Sequence, residues 1–283
     1  MTARKRFKRL VRARAANTGE SYTAALRHFR VHALKEYPVP ARNRFDEALW
    51  QLGVRHDTLS NAERSSLARD GYVVIDSVLS ARDLDTMQAR ADALLKGTTQ
   101  GVLCGHTAAD DEAFAGATLH PRLLAAAAHV LGTPFFFSPG VALRDPLPGS
   151  GEQSLHQDVG PWPPHDLHPY RIIAQWHLDA ATERNGAVRV VPGSHLVHPR
   201  DFQEWAYTDG AHHRDEVVLI APAGSLIVRH ATLWHSATRN DSSSRRRSAH
   251  VMVSTWDDTV GRDLRVGYQE PVDPVSAQHL LSM

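Results

Sequence analysis

RIIAQWHLDAATERNGAVRVVPGSH occupies residues 171–195, and its reading decides the fold. Two short runs, RIIAQWHLDA and AVRVVPGSH, are rich in β-branched and aromatic residues. Between them stands Asn185-Gly186, a dipeptide that tolerates positive φ and is a strong signal for a tight hairpin. The stretch therefore predicts two short strands joined by a turn. The same alternation extends outward on both sides: PFFFSPGVALRDPLPG, EVVLIAP, GSLIVRH and SAHVMVSTW are further β-rich runs separated by Gly, Pro and Asn. Many short strands with turns at near-regular spacing predict a sandwich or closed barrel. No internal sequence repeat is present.

Upstream, the pattern is helical. Ser60 precedes a short predicted helix, and YVVID reads as a strand. In SARDLDTMQARADALLKG, Ser80 and Asp83 resemble a capping box, and Leu84, Met87, Ala91, Leu94 and Leu95 share one helical face. Gly97 supplies the stop. A second helix is predicted over 121–132, ending at Gly132. EYPVPARNRF, residues 36–45, reads as a linker because its prolines disfavour helix at the positions before them. The expected organisation is a basic N-terminal extension and linker at 1–45, then a domain at 46–283. That domain is helical to about residue 133, with a β-rich core from about 134 to 260.

Bulk composition narrows the function classes. The 283 residues are 42% hydrophobic and 22% charged, with a net charge of +1, ordinary values for a globular protein. No apolar run of membrane-spanning length occurs, and without an apolar h-region and small-residue cleavage site after the basic N-terminus a secretory signal is not expected. A single cysteine, Cys104, cannot form an internal disulfide. A cytoplasmic location is expected. Charge is uneven, however. Residues 1–35 contain ten Lys/Arg and one acidic residue, Glu20, so nucleic acid or an acidic partner is a candidate ligand for this segment.

One tripeptide points to chemistry. In SLHQD, His156 and Asp158 lie at i and i+2, so on an extended chain they share a face while Gln157 points away. One His and one carboxylate, joined by a second His from another strand, make the facial triad of non-haem Fe(II) oxygenases, which leaves adjacent coordination positions open. Among the downstream histidines, His230 and His235 in GSLIVRHATLWHSATRNDSSSRRRSAH are the serious candidates for the third ligand. A cosubstrate with a second carboxylate needs a fixed cation, which Arg provides through its planar fork. In RRRSAHVMVST, Arg246 and Ser248 share one face of a predicted strand and could clamp such a carboxylate, with Arg245 and Arg247 turned the other way.

SLHQD, then WHLDAATERNGAVRVVPGSH, then ATLWHSATRNDSSSRRRS, together with the opening ARDGYVVIDSVLSARDLDTM, resembles the phytanoyl-CoA dioxygenase family of Fe(II)/2-oxoglutarate-dependent oxygenases. The likeness covers roughly residues 58–260. It implies a mainly β protein with flanking α-helices, built on a double-stranded β-helix (a jelly-roll, cupin-like core). It also implies iron ligands His156, Asp158 and His235, and a 2-oxoglutarate-binding Arg eleven residues after the distal His, at Arg246. The same spacing from His230 falls on Asp241, which cannot bind a carboxylate. Cofactor and cosubstrates are then Fe(II), 2-oxoglutarate and O₂, with succinate and CO₂ released as a small molecule is oxidised. Related halogenases carry a small residue in place of the Asp, so Asp158 implies hydroxylation or another oxidation. Trp162 resembles a pocket aromatic of one hydroxylase branch of the family. Competing readings are a cupin-like binding protein without turnover, an oxygenase working near nucleic acid through its basic N-terminus, and a zinc hydrolase.

Overall fold

In the computed structural model, the residues described are 42–98, 101–107, 111–132, 134–137, 140–158, 171–197 and 212–255, with Ser21 and Pro274 besides. Trp162 and the basic segment 1–35, apart from Ser21, lie outside them. Five α-helices are described: α1 (Arg42–Gln51), α2 (Asn61–Arg69), α3 (Ala81–Leu95), α4 (Glu112–Thr118) and α5 (Pro121–Leu131). The strands are β1 (Tyr72–Ile75), β2 (Val102–Thr107), β3 (Phe135–Phe137), β4 (Gly140–Arg144), β5 (Gln153–His156) and β6 (Arg171–His177). They continue with β7 (Val188–Val190), β8 (Val217–Val218), β9 (Leu226–His230), β10 (His235–Ala237) and β11 (Ser248–Thr255).

Helix boundaries follow local chemistry. Ser60 caps α2, its hydroxyl accepting from the Glu63 N–H while the Glu63 carboxylate accepts from the Ser60 N–H. Ser80 caps α3 in the same position, although Asp83 accepts from the Ser80 hydroxyl instead of its backbone. α5 has Pro121 in its first turn and Gly132 at φ +64° as its stop. α1 begins at Arg42, inside the stretch expected to be linker. Prolines restrict the residues before them and leave those after them free to enter a helix.

All strand pairs are antiparallel, in two sheets. One has seven strands in the order β1-β9-β6-β11-β4-β2, with β3 also pairing with β11; the other is β5-β10-β7-β8. From β4 to β7 the chain alternates between the sheets, and it alternates again from β8 to β11. This alternation is that of a jelly-roll, as the resemblance implied. Asn185-Gly186 is therefore not a hairpin. β6 pairs with β9 and β11, whereas β7 pairs with β10 and β8, so the turn carries the chain across from one sheet to the other. The Asn185 side chain accepts from the Thr182 N–H and donates to the Ala180 carbonyl, closing a local loop that replaces strand pairing.

The main core lies between the helices and the outer face of the large sheet. Ile172, Ala174, Trp176, Leu226, Val228, Ala249, Val251 and Val253 pack there against Leu123, Leu124 and Leu131 of α5 and Met87 and Ala91 of α3. Each fully buried large apolar side chain contributes about 1.5–3 kcal/mol, so this contact fixes the helices on the sheet. The alternate residues face the second sheet. That inner face is polar, and it carries the site.

Candidate metal centre

β5 and β10 are neighbours, and their register sets His156 directly opposite His235. The two imidazole centroids are 4.1 Å apart. A register shift between His235 and Ala237 bulges the pair just beside the histidines, a feature that re-aims side chains at functional sites. Asp158 extends the line of β5. Its backbone N–H donates to the Ala231 carbonyl, and its own carbonyl accepts from Arg171. The carboxylate is thereby presented to both histidines, with Oδ1 3.8 Å from His156 Nε2 and Oδ2 3.4 Å from His235 Nε2.

Both rings are oriented the same way. His156 Nδ1 lies 2.8 Å from the Ser154 carbonyl, and His235 Nδ1 lies 2.9 Å from the Leu233 carbonyl. A carbonyl only accepts, so each Nδ1 carries a proton and Nε2 is the nitrogen turned to the carboxylate. Metal-binding histidines are held in this manner by their second nitrogen. Burial, followed by the nearby Arg229 guanidinium, holds His235 neutral well below the usual imidazole range. For Asp158, burial works to raise the pKa, but Arg229, His235 and His156 together overcome it and hold the carboxyl far below its ordinary value. Two imidazole nitrogens and one ionised carboxylate, within 4.8 Å of one another, could hold one metal ion. His235 is 4% exposed and Asp158 32%, so the cluster is anchored on its His235 side and reachable from the Asp158 side.

Farther along the same interior, Arg246 is 3% exposed, and its Nη1 donates to Ser248 Oγ at 3.4 Å. Ser248 Oγ also lies 3.0 Å from His250 Nε2, and Gln175 Nε2 lies 3.1 Å from His177 Nε2 on the adjoining strand. Burial, then the Arg144 charge, pushes the Arg246 guanidinium down to about 10. Arg246 Nε, Gln175 Oε1 and His177 Nδ1 are enclosed and have no hydrogen-bond partner among the described residues. A buried cation with unused donors fits an anionic ligand. The other two arginines precede β11, as Arg246 does, and are held by acidic partners elsewhere. Arg245 pairs with Asp145 and Asp92, and Arg247 with Asp179 and Asp92.

Residues 67–248 match the model of the phytanoyl-CoA dioxygenase (PhyH) family. The chain belongs to that family. This PhyH-family protein is a non-haem Fe(II)/2-oxoglutarate-dependent dioxygenase, with O₂ as the second cosubstrate. It is similar to an L-proline trans-4-hydroxylase of Streptomyces griseoviridis, 25% identical over 255 residues that cover 75% of this chain and 94% of the relative. Among solved structures it resembles EctD from S. alaskensis with 2-oxoglutarate and 5-hydroxyectoine. The TM-score is 0.59 at 20% identity, covering 73% of this chain and 81% of that one. It also resembles the α-ketoglutarate-dependent carbocyclase SnoK from nogalamycin biosynthesis, with a TM-score of 0.60 at 21% identity, covering 80% and 92%. These structural likenesses concern the fold.

The structure brings together His156, Asp158 and His235, the set that the resemblance implies, and separately Arg246 and Ser248. It separates His230, which turns to His195 with ring centroids 4.5 Å apart. Sequence reasoning passed over Arg229, and it left His177 and His250 undistinguished among the downstream histidines. A signal for them exists in the period of two: Gln175 and His177 alternate with apolar neighbours in β6, as Ser248 and His250 do in β11.

Proposed function

We propose that His156, Asp158 and His235 hold the Fe(II) of this dioxygenase, and that Arg246 and Ser248 hold the distal carboxylate of 2-oxoglutarate. The observation that carries the reading is the register of β5 against β10, which sets His156 opposite His235 with Asp158 beside them. The bound iron, with 2-oxoglutarate and O₂, supplies the oxidising power for a C–H bond, and 2-oxoglutarate leaves as succinate and CO₂. The chain's own residues do the rest. The two Nδ1–H groups, tied to backbone carbonyls, keep both Nε2 atoms turned to the Asp158 carboxylate. Arg246 and Ser248 orient the cosubstrate by its far end, so that its keto acid end is directed at the metal. Val188, Val190, Ile227 and Leu233 form an apolar cluster that keeps water out of part of the interior.

The outcome we assign is hydroxylation of an unactivated C–H bond in a small molecule, within a catalytic domain that begins with α1, a few residues before the expected boundary at 46. A proline hydroxylase among the relatives, and a neighbour solved with 5-hydroxyectoine, support a substrate of that size. Asp158 supports hydroxylation because a carboxylate fills the coordination position that a halide would otherwise need.

The test is an anaerobic titration of metal-free protein with Fe(II) and then 2-oxoglutarate, watching for a visible iron-to-ketoacid charge-transfer band. The wild type develops the band only with both additions. Asp158→Ala loses it, and Arg246→Leu needs about 10- to 100-fold more 2-oxoglutarate, the factor expected for loss of a charge-assisted bidentate contact. Well-folded wild-type protein without a band would overturn the ligand assignment.

A further inference from the structure

Strand β9 carries a charge that the proposed chemistry does not use. Arg229 is the fourth of the five residues of LIVRH, paired with Tyr72 of β1 on one side and Ile173 of β6 on the other. A buried arginine following three apolar residues of an interior strand is a local inconsistency of the kind found at functional positions. Its side chain is 4% exposed, and Nη2 lies 2.7 Å from Asp158 Oδ2. Nε and Nη1 are enclosed and have no hydrogen-bond partner among the described residues. A guanidinium stays protonated even when buried, so its burial has to be offset by a counter-ion. Asp158 is the carboxylate it touches.

This contact makes the two oxygens of Asp158 unequal. The closest Arg229 contact falls on Oδ2, at 2.7 Å, and Oδ2 also lies 3.4 Å from His235 Nε2, while Oδ1 is the oxygen nearest His156 Nε2, at 3.8 Å. We propose that Arg229 is a positioning residue for Asp158. Its guanidinium holds Oδ2 and reserves Oδ1 for the metal, so the carboxylate binds through one oxygen and occupies one coordination position. Three attachments then fix Asp158 through the protein itself: the Ala231 carbonyl on its backbone N–H, Arg171 on its backbone carbonyl and Arg229 on its side chain. The inference rests on the reading of His156, Asp158 and His235 as iron ligands.

The test begins with the unfolding equilibria of metal-free wild type, Asp158→Ala, Arg229→Met and the double variant. Asp158→Ala strands the Arg229 charge and lowers the folded-to-unfolded ratio on the order of 100-fold in the wild-type background. In the Arg229→Met background the same change alters it less than about threefold, since no buried cation remains to be stranded. Fe(II) and 2-oxoglutarate are then added to wild type, Arg229→Met and Arg229→Lys. Arg229→Met binds Fe(II) at least about tenfold more weakly and shifts the charge-transfer band, and Arg229→Lys recovers part of both. Equal costs of Asp158→Ala in the two backgrounds, or an unshifted band at unchanged iron affinity in Arg229→Met, overturns the positioning role. Failure of the wild type itself to bind Fe(II) overturns the ligand assignment and the positioning role together, while the coupling measured on metal-free protein stands or falls separately.

Discussion

His195 and His230 carry the same imidazole as the metal-centre histidines, and packing gives them a different part. Their rings face each other beside Gly71, where an added Cβ would lie only 2.4 Å from His195 Nδ1. Burial, then the neighbouring His195, pushes His230 down to about 3, and burial also lowers His195. Unfolded, both titrate near 6.5, so below that pH the unfolded chain takes up protons that the folded one refuses. Their stabilisation is complete above about pH 6.5 and drains away as pH falls toward the folded value. For His230 the loss approaches 1.4 kcal/mol per pH unit, roughly. Denaturant midpoints measured from pH 7 to pH 5 should fall, and His230→Gln should flatten that slope while leaving Fe(II) binding intact. Loss of iron binding in His230→Gln would mean that the wrong histidine had been placed at the centre. At this scale the strand period placed His156 with Asp158, and Arg246 with Ser248. It had no means of separating His230 from His235: only the resemblance favoured His235, and the register of β10 against β5 then brings it to His156.

At the scale of elements, the instructive case is residues 171–195. Both halves are strands, as their composition predicts, yet the Asn-Gly between them joins two sheets. A hairpin signal reports that the chain can reverse locally; which strand each arm then pairs with depends on partners distant in sequence. Asn185 is buried, and its amide satisfies backbone groups at Thr182 and Ala180. Asn185→Ala leaves those groups without their partner and is expected to cost about 2 kcal/mol, read as a lower denaturant midpoint at unchanged slope. A change under 0.5 kcal/mol, roughly, would show that water replaces the amide and that the crossover does not depend on it. The helices were more legible. Ser60, Ser80, Gly97 and Gly132 mark their ends because caps are local chemistry, and the Met87, Ala91 and Leu95 face of α3 is buried as its period predicts. β2 and α4 escaped the sequence reading. Both lie in VLCGHTAADDEAFAGAT, whose apolar runs are short and mixed with Gly and Asp.

For the whole molecule, the two sheets enclose a polar interior in which Arg229, Arg246 and Asp158 are all held before any ligand arrives. Among the described residues no helix is long and apolar enough to cross a membrane. Ligands that bind only the folded state stabilise it by mass action, about 2.7 kcal/mol at 100 times the dissociation constant. Fe(II), or Mn(II) as a redox-inert stand-in, should therefore raise the melting temperature, and 2-oxoglutarate should raise it further. Arg246→Leu is expected to keep the metal increment and lose most of the second, whereas Asp158→Ala loses both. An undiminished 2-oxoglutarate increment in Arg246→Leu would place the cosubstrate carboxylate elsewhere.

Local and periodic information lay in the chain itself: the helical opening, the β-rich second half, the shared faces of His156 with Asp158 and of Arg246 with Ser248, and the motifs that mark the family. Those features depend on neighbours within a few residues, where sequence spacing is geometry. Tertiary structure alone decided the rest. It turned an apparent hairpin into a crossover, set His235 against His156 across two strands, and brought Arg229 to Asp158 over a separation of 71 residues. Such contacts arise when sheets pack face to face, and the spacing of residues along one strand carries no record of which strand will lie opposite.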